Sequence, residues 1–368
     1  VRAYFLTLAY WLAGSDDNVA NLVRYLVDRY AGGERAVLRG TLRYDAPAEY
    51  PEVGVYHPRL KGRISADAAR LPARGDARGT VGLLVLRSYV LADNAAHYDG
   101  VIAALEAQGL NVIPAFSSGL DSRPAIESFF MRDGRSTIDA LVSLTGFSLV
   151  GGPAYNDARA AEEVLARLDV PYTAAHPVEF QTLDQWAQGE RGLMPVESTI
   201  MVAIPELDGA TDPMVFGGRV SADGVAAGSA QCTGCARHCR FDAPHARDMQ
   251  PCAERAQMLA ARVGRLVALR RAPVAERKVA LVVFNFPPNA GNTGTAAHLS
   301  VFDSVFNTLR GMHAAGYAVE LPDSADALRD RIIHGNAERY GALANVAAHI
   351  GADDHVRREP HLKEIEAQ

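Results

Sequence analysis

From Gly79 onward the chain alternates short apolar runs with amphipathic helices, and this alternation restricts the fold more than any other feature. Val81–Leu86 reads as a buried strand. Ala95–Leu110 follows as a helix closed by Gly109, and Asn111–Phe116 is the next strand. Ile126–Met131 reads as helix, Asp139–Thr145 as strand, Asp157–Leu168 as helix and Val170–Ala175 as strand. Apolar runs separated by helices form a parallel sheet covered on both faces. Three consecutive units predict a doubly wound α/β domain over residues 79–190. Open sheets of this kind bind ligands beyond the carboxyl ends of their strands. The expected mouth is therefore Ser117–Asp121 and Gly146–Asp157.

The flanking regions read differently. Residues 1–78 form a helical and loop segment: Phe5, Leu6, Leu8, Ala9 and Leu12 lie at helical spacing, and Asn21–Tyr30 is a helix stopped by Gly32-Gly33. A proline-rich passage follows, in which Val53–Pro58 is the ordered-looking part. Residues 191–277 carry an acidic motif on an expected strand and a cysteine-rich insert. Residues 278–368 predict a second α/β unit, incomplete at its carboxyl end. Its expected strands are Val279–Phe284 and Tyr317–Leu321, and its expected helices are His298–Ala315, Ala325–Ile333 and Ala337–Ile350. A start at Val1 rather than Met and a polar end at Gln368 read as a piece of a longer protein.

Composition excludes some classes. No apolar run approaches the ~18 residues of a membrane span, and no cationic start precedes an apolar core as in a secretory signal. A cytoplasmic location is expected. The formal charge of −6 argues against a general nucleic-acid surface. Arg262, Arg265, Arg270 and Arg271 make a local basic stretch that a solvated helix face explains.

All four cysteines lie together, Cys232, Cys235, Cys239 and Cys252, at spacing C-x2-C-x3-C-x12-C. In a cytosolic chain such a group points to metal binding rather than disulfides. Three close thiols and a fourth farther on resemble the ligands of a [4Fe–4S] cluster. Zinc is the alternative, although paired C-x2-C knuckles are its usual pattern, and unligated thiols are a third. His238 and His245 could replace one ligand of a zinc site, and solvated loop histidines explain them as well.

Two further motifs carry candidate chemistry. In ESTIMVAIPELDG (197–209) the run Thr199–Ile204 predicts a buried strand ended by Pro205, which sets Glu206 and Asp208 just past its end. Carboxylates there can ligate Mg²⁺ and, once desolvated, accept protons; a plain turn at Asp208-Gly209 is the structural alternative. In NFPPNAGNTGTAAHL (285–299), Asn289, Gly291, Asn292 and Gly294 read as a loop that opens a helix and can approach an anionic group. It is neither a Walker A loop nor a G-x-G-x-x-G fingerprint, and a structural turn accounts for it equally well.

The stretches GVYHPRL (54–60), GGPAYND (151–157), MPVESTIMVAIPELDG (194–209), PMVFGGR (213–219) and NFPPNAGNTGTAAHLSVFDSVFNTL (285–309) together resemble the family of magnesium chelatase large, porphyrin-binding (H-type) subunits and aerobic cobaltochelatase large subunits. The glycine-rich loop favours the magnesium branch, and the cysteine-bearing insert favours its photosynthetic-bacterial form. The resemblance implies ATP-dependent insertion of Mg²⁺ into protoporphyrin IX for bacteriochlorophyll synthesis. It also implies ATP hydrolysis by two AAA+ partner subunits (I and D types) and a location extending to the periphery of the photosynthetic membrane. Glu206 is the position it marks as catalytic, with Asp208 beside it, and His57 falls in its Y-H-P motif as a structural residue. Cobalt insertion by an aerobic cobaltochelatase, or a metal- or redox-sensing module without catalysis, are the competing expectations.

Overall fold

The computed structural model describes residues 1–152, 155–220, 229–232, 239–242, 248–286, 290–336, 339, 346 and 348–368. Two compact units divide the chain, Val1–Arg271 and Ala272–Gln368.

The first unit is built on a single eight-stranded sheet. In chain order its strands are β1 (Val53–Tyr56), β2 (Ile64–Ser65), β3 (Thr80–Leu84), β4 (Asn111–Ser117), β5 (Ala140–Ser143), β6 (Tyr172–Thr182), β7 (Thr211–Arg219) and β8 (Met249–Pro251). Their order across the sheet is β8-β7-β6-β5-β3-β4-β1-β2. The five central strands are parallel, and β1, β2 and β8 are antiparallel additions at the edges. This is the mixed α/β fold with a mainly parallel sheet that the alternation predicts.

Pleating divides the apolar residues between two faces. On β3, Val81, Leu83 and Val85 join one core with Tyr98, Val101, Ile102 and Leu105 of helix Ala96–Ala107, and with Leu259, Ala260 and Val263 of helix Ala253–Arg271. Leu84 points the other way, into a core with Ala125 and Ile126 of helix Arg123–Phe129 and Ala161, Val164 and Leu168 of helix Ala158–Leu168. Burial of each large aliphatic side chain contributes ~1.5–3 kcal/mol. Helix ends follow local rules: Asp157 caps Ala160 N at 3.0 Å, and Ser15 caps Asn18 N at 3.2 Å in helix Asp16–Tyr30. The basic stretch lies on helix Ala253–Arg271, where Arg271 reaches Asp139 at 3.1 Å.

The second unit corrects the expectation of another α/β layer. Val301–Ala314 and Ala325–Ile333 are helices as expected. Val279–Phe284 and Tyr317–Leu321 form no strand, and the described residues of this unit contain none. Val279, Leu281, Val282 and Phe284 are exposed; a strand needs a neighbour to satisfy its backbone, and no described strand of this unit supplies one. The expected helix Ala337–Ile350 lies mostly outside the described residues. No described helix is long and apolar enough to cross a membrane.

Candidate functional site

The five parallel strands end at one edge, and their order reverses around β3, with β4 on one side and β5, β6 and β7 on the other. The crevice above β3 and β5 is where such sheets seat ligands. A narrow cleft occupies it, lined by Leu86, Ser117, Leu120, Ser122, Thr145 and Ser148 among others. Ser117, Leu120 and Ser148 come from the two loops expected to form the mouth, and Leu86, Ser122 and Thr145 lie outside those bounds. Ser117 Oγ is buried there without a hydrogen-bond partner.

The acidic motif reaches this edge on a helix, not on a strand. Pro195–Glu197 starts an α-turn, Ser198–Ala203 widens to a π-turn and Ile204–Leu207 completes the segment. Glu197, Met201, Pro205 and Asp208 are its buried positions, a spacing of three to four that belongs to a helix packed on one side. The β-branched run misleads because only one of its faces is covered. Pro205 cannot donate to the preceding turn, and π-turns accommodate such a break. A Cβ built on Gly146 would lie 3.7 Å from Met201 Cγ and 3.7 Å from Pro177 Cδ, so the helix lies over the loop that follows β5, beside the part of β6 that runs past the end of β5.

The acidic residues thereby separate. Glu206 is exposed on the helix. Asp208 is fully buried; its Oδ2 accepts from Leu149 N at 2.6 Å, and its Oδ1 has no partner. Glu197 is also fully buried. It accepts from Phe180 N at 3.3 Å, Gln181 Nε2 at 2.6 Å and Met194 N at 3.0 Å.

Cys232, Cys239 and Cys252 lie beside the ends of β6, β7 and β8. Cys232 N donates to Cys239 O at 2.8 Å across a short ribbon, and Cys252 N donates to Phe216 O at 3.0 Å. Cys232, Cys239 and Cys252 line one pocket of about 430 Å³ with Trp186, Phe241 and Arg255. Arg255 stacks over Trp186 at 5.6 Å. Cys235, His238 and His245 lie outside the described residues. Among the described residues no three His, Cys, Asp or Glu side chains are arranged to hold a metal ion. Three thiols line one pocket, the donor type of cluster ligation but one fewer than the four thiolates of a [4Fe–4S] site.

The glycine-rich loop belongs to the second unit. Ala290–Asn292 is a 3-10 turn, and Gly294, at φ 75°, donates from its N to Phe284 O at 2.8 Å. Asn289 lies outside the described residues. The next helix begins only at Val301, so Gly291, Asn292 and Gly294 sit in a turn well before its N-terminus. His57 is a structural residue: fully buried, it accepts from Arg59 N at Nδ1 (3.1 Å) and faces Glu106 Oε1 from Nε2 (3.2 Å). Burial lowers its pKa despite Glu106.

Sequence reasoning passed over a polar cluster at the same edge. Burial raises the pKa of Glu179, opposed by its hydrogen bond with Tyr89 and by Arg219, and burial raises that of Tyr89 as well. A carboxylate closing the apolar run of β6 was the signal available. His97 and His176 are buried with both ring nitrogens unpartnered. Burial depresses their pKa values to about 3 and about 4.

Residues 8–368 match the CobN/Magnesium Chelatase family. The chain belongs to that family. It is 55% identical over 368 residues to the H-type subunit of the magnesium chelatase of Cereibacter sphaeroides, covering 100% of this chain and 30% of that protein. To the aerobic cobaltochelatase CobN protein of Pseudomonas aeruginosa it is 28% identical over 370 residues, covering 98% and 27%. The catalytic subunit of cobaltochelatase from Mycobacterium tuberculosis shares the fold, with a TM-score of 0.66 at 23% identity, over 91% of this chain and 25% of that one. The chain thus spans less than a third of the length of these relatives.

Proposed function

We propose that this chain is part of the porphyrin-binding subunit of a magnesium chelatase, which inserts Mg²⁺ into protoporphyrin IX in bacteriochlorophyll synthesis. The observation that carries the reading is the 55% identity over the whole chain to a magnesium-chelatase subunit, against 28% to the cobalt counterpart. ATP hydrolysis is assigned to AAA+ partner subunits of the I and D types. The proposed location is the cytoplasm, extending to the periphery of the photosynthetic membrane.

Insertion requires that two pyrrole protons leave and that Mg²⁺ loses water. Glu206, exposed on a helix lying over the sheet's carboxyl edge, is the motif's carboxylate free to do both: its oxygens can replace water on Mg²⁺ and, once a bound macrocycle desolvates them, accept a pyrrole proton. Asn289, Gly291, Asn292 and Gly294 remain candidates for an anionic substituent of the macrocycle. Cys232, Cys235, Cys239 and Cys252 would hold a [4Fe–4S] cluster, with zinc as the alternative; the cluster would supply a redox-responsive centre.

The deciding experiment combines the full-length subunit with its ATPase partners and offers Mg²⁺ or Co²⁺ with protoporphyrin IX or a hydrogenobyrinate macrocycle. Mg-protoporphyrin as the product is expected; cobalt insertion into the hydrogenobyrinate ring alone would replace this reading by the cobaltochelatase one. An anaerobic visible spectrum tests the thiol site: a broad band bleached by dithionite means iron–sulfur, and a colourless protein removes the cluster.

A further inference from the structure

The acidic motif holds three carboxylates in three environments, and the contrast divides their labour. Glu206 faces solvent. Glu197 and Asp208 flank it along the same helical segment, are completely buried and are held by hydrogen bonds rather than by a cation among the described residues. A buried carboxylate without a counter-charge is costly unless its oxygens are hydrogen-bonded; Glu197 has donors on both oxygens, while Asp208 has one donor on Oδ2 and none on Oδ1.

Those bonds reach different parts of the sheet edge. At the start of the helix, Glu197 takes Phe180 N and Gln181 Nε2 from the end of β6 and Met194 N from the preceding loop. The same Gln181 amide also donates to Gly192 O at 3.3 Å, and Gly192 lines the cysteine pocket. At the other end, Asp208 takes Leu149 N from the loop after β5, the loop whose Thr145 and Ser148 line the cleft above the sheet. The helix bearing Glu206 is thus tied at one end to β6 and at the other to the loop after β5.

We propose that Glu197 and Asp208 are positioning residues that fix the Glu206 helix over the carboxyl edge of the sheet, and that Asp208 itself exchanges no proton with the substrate. The inference rests on the chelatase reading, in which Glu206 acts on the macrocycle. A carboxylate displaced by about 1 Å can lose on the order of a hundredfold in rate while binding elsewhere is kept.

The test compares amide and alanine variants of the full-length subunit assayed with its ATPase partners. Positioning needs an acceptor oxygen, not a charge. Asp208→Asn can still accept from Leu149 N, whereas Glu197→Gln keeps an acceptor for Gln181 Nε2 and Met194 N but turns its NH2 toward Phe180 N. Asp208→Asn is expected to keep kcat within about threefold of wild type and Glu197→Gln to lose less than Glu197→Ala, while Asp208→Ala and Glu197→Ala lose about tenfold or more at unchanged porphyrin Kd. Binding stoichiometry from porphyrin fluorescence exposes an alanine variant that fails to fold, and the amide variants then carry the test against wild type. Amide variants as inactive as alanine would overturn the proposal by showing a proton-transferring role. Wild-type rates in all four would overturn it by showing no role. If Glu206→Gln inserted Mg²⁺ at the wild-type rate, the underlying reading would fail instead, which separates the two failures.

Discussion

Two of the three buried histidines among the first unit's described residues, His97 and His176, make it sensitive to mild acid by an amount that can be worked out. Burial holds His97 near pKa 3 and His176 near pKa 4, while an unfolded histidine titrates near ~6.5. Both folded values are depressed, so between the two pKa values the unfolded chain binds more protons. The stability they contribute is complete above about pH 6.5 and falls as the pH drops toward 4 and then 3. At pH 5 each imidazole is about 1.5 pH units below its unfolded pKa, a loss of ~2 kcal/mol each. With a urea m-value of ~3 kcal/mol/M, each shifts the midpoint by roughly 0.7 M between pH 7.5 and pH 5. Asp16, Asp99 and Glu179 have raised pKa values and act in the opposite direction, so the assay is a difference. His97→Phe keeps an aromatic ring stacked on Phe216, where the centroids are 5.8 Å apart, and removes the proton. Urea titrations of wild type and variant at both pH values should show a variant less acid-sensitive by that amount. Equal shifts in the two proteins would refute the assignment of His97 as a neutral, unpartnered core residue.

Other outcomes follow from the packing. Gly82→Ala would put a Cβ 2.8 Å from Ile138 Cδ1 and 3.0 Å from Phe130, and overpacking of this kind costs ~1–3 kcal/mol, read from the denaturation midpoint. Thr182→Ala removes the capping box of helix Leu183–Gln188, with a loss of ~1 kcal/mol; because Leu183 and Trp186 line the thiol pocket, faster alkylation of its cysteines is expected. Cys252→Ala should lower the metal content of the anaerobically purified full-length protein, measured by elemental analysis, without changing porphyrin Kd.

How far the residues announced this arrangement depends on which interactions decide each element. Strands β3, β4 and β5 and the start of β6 are legible because their apolar runs are bounded by helices and turns. Strand β7 is not among the expected strands: TDPMVFGGR opens with Thr-Asp-Pro and ends on Gly-Gly before Arg219, yet Gly217 and Gly218 are strand residues at close approaches. A Cβ on Gly218 would lie 2.5 Å from Val178 Cγ2, and one on Gly217 would lie 2.6 Å from Gln250 O. Only the neighbouring strands make those glycines part of a sheet. The helix at 195–207 misleads for a related reason: Ile200, Val202 and Ile204 have strand-like side chains, while the burial of Glu197, Met201, Pro205 and Asp208 is set by what the segment rests on. The division between exposed Glu206 and buried Asp208 is not legible in two residues so close in sequence, because it arises from the partner at Leu149.

Mg²⁺ insertion by the full-length protein carrying Glu206→Ala, assayed with the ATPase partners and alongside porphyrin binding, bears on the proposed chemistry without intermediaries. Protoporphyrin quenching with unchanged affinity is expected, together with a chelation rate reduced by about a hundredfold or more. Wild-type chelation in that variant would contradict the role given to Glu206.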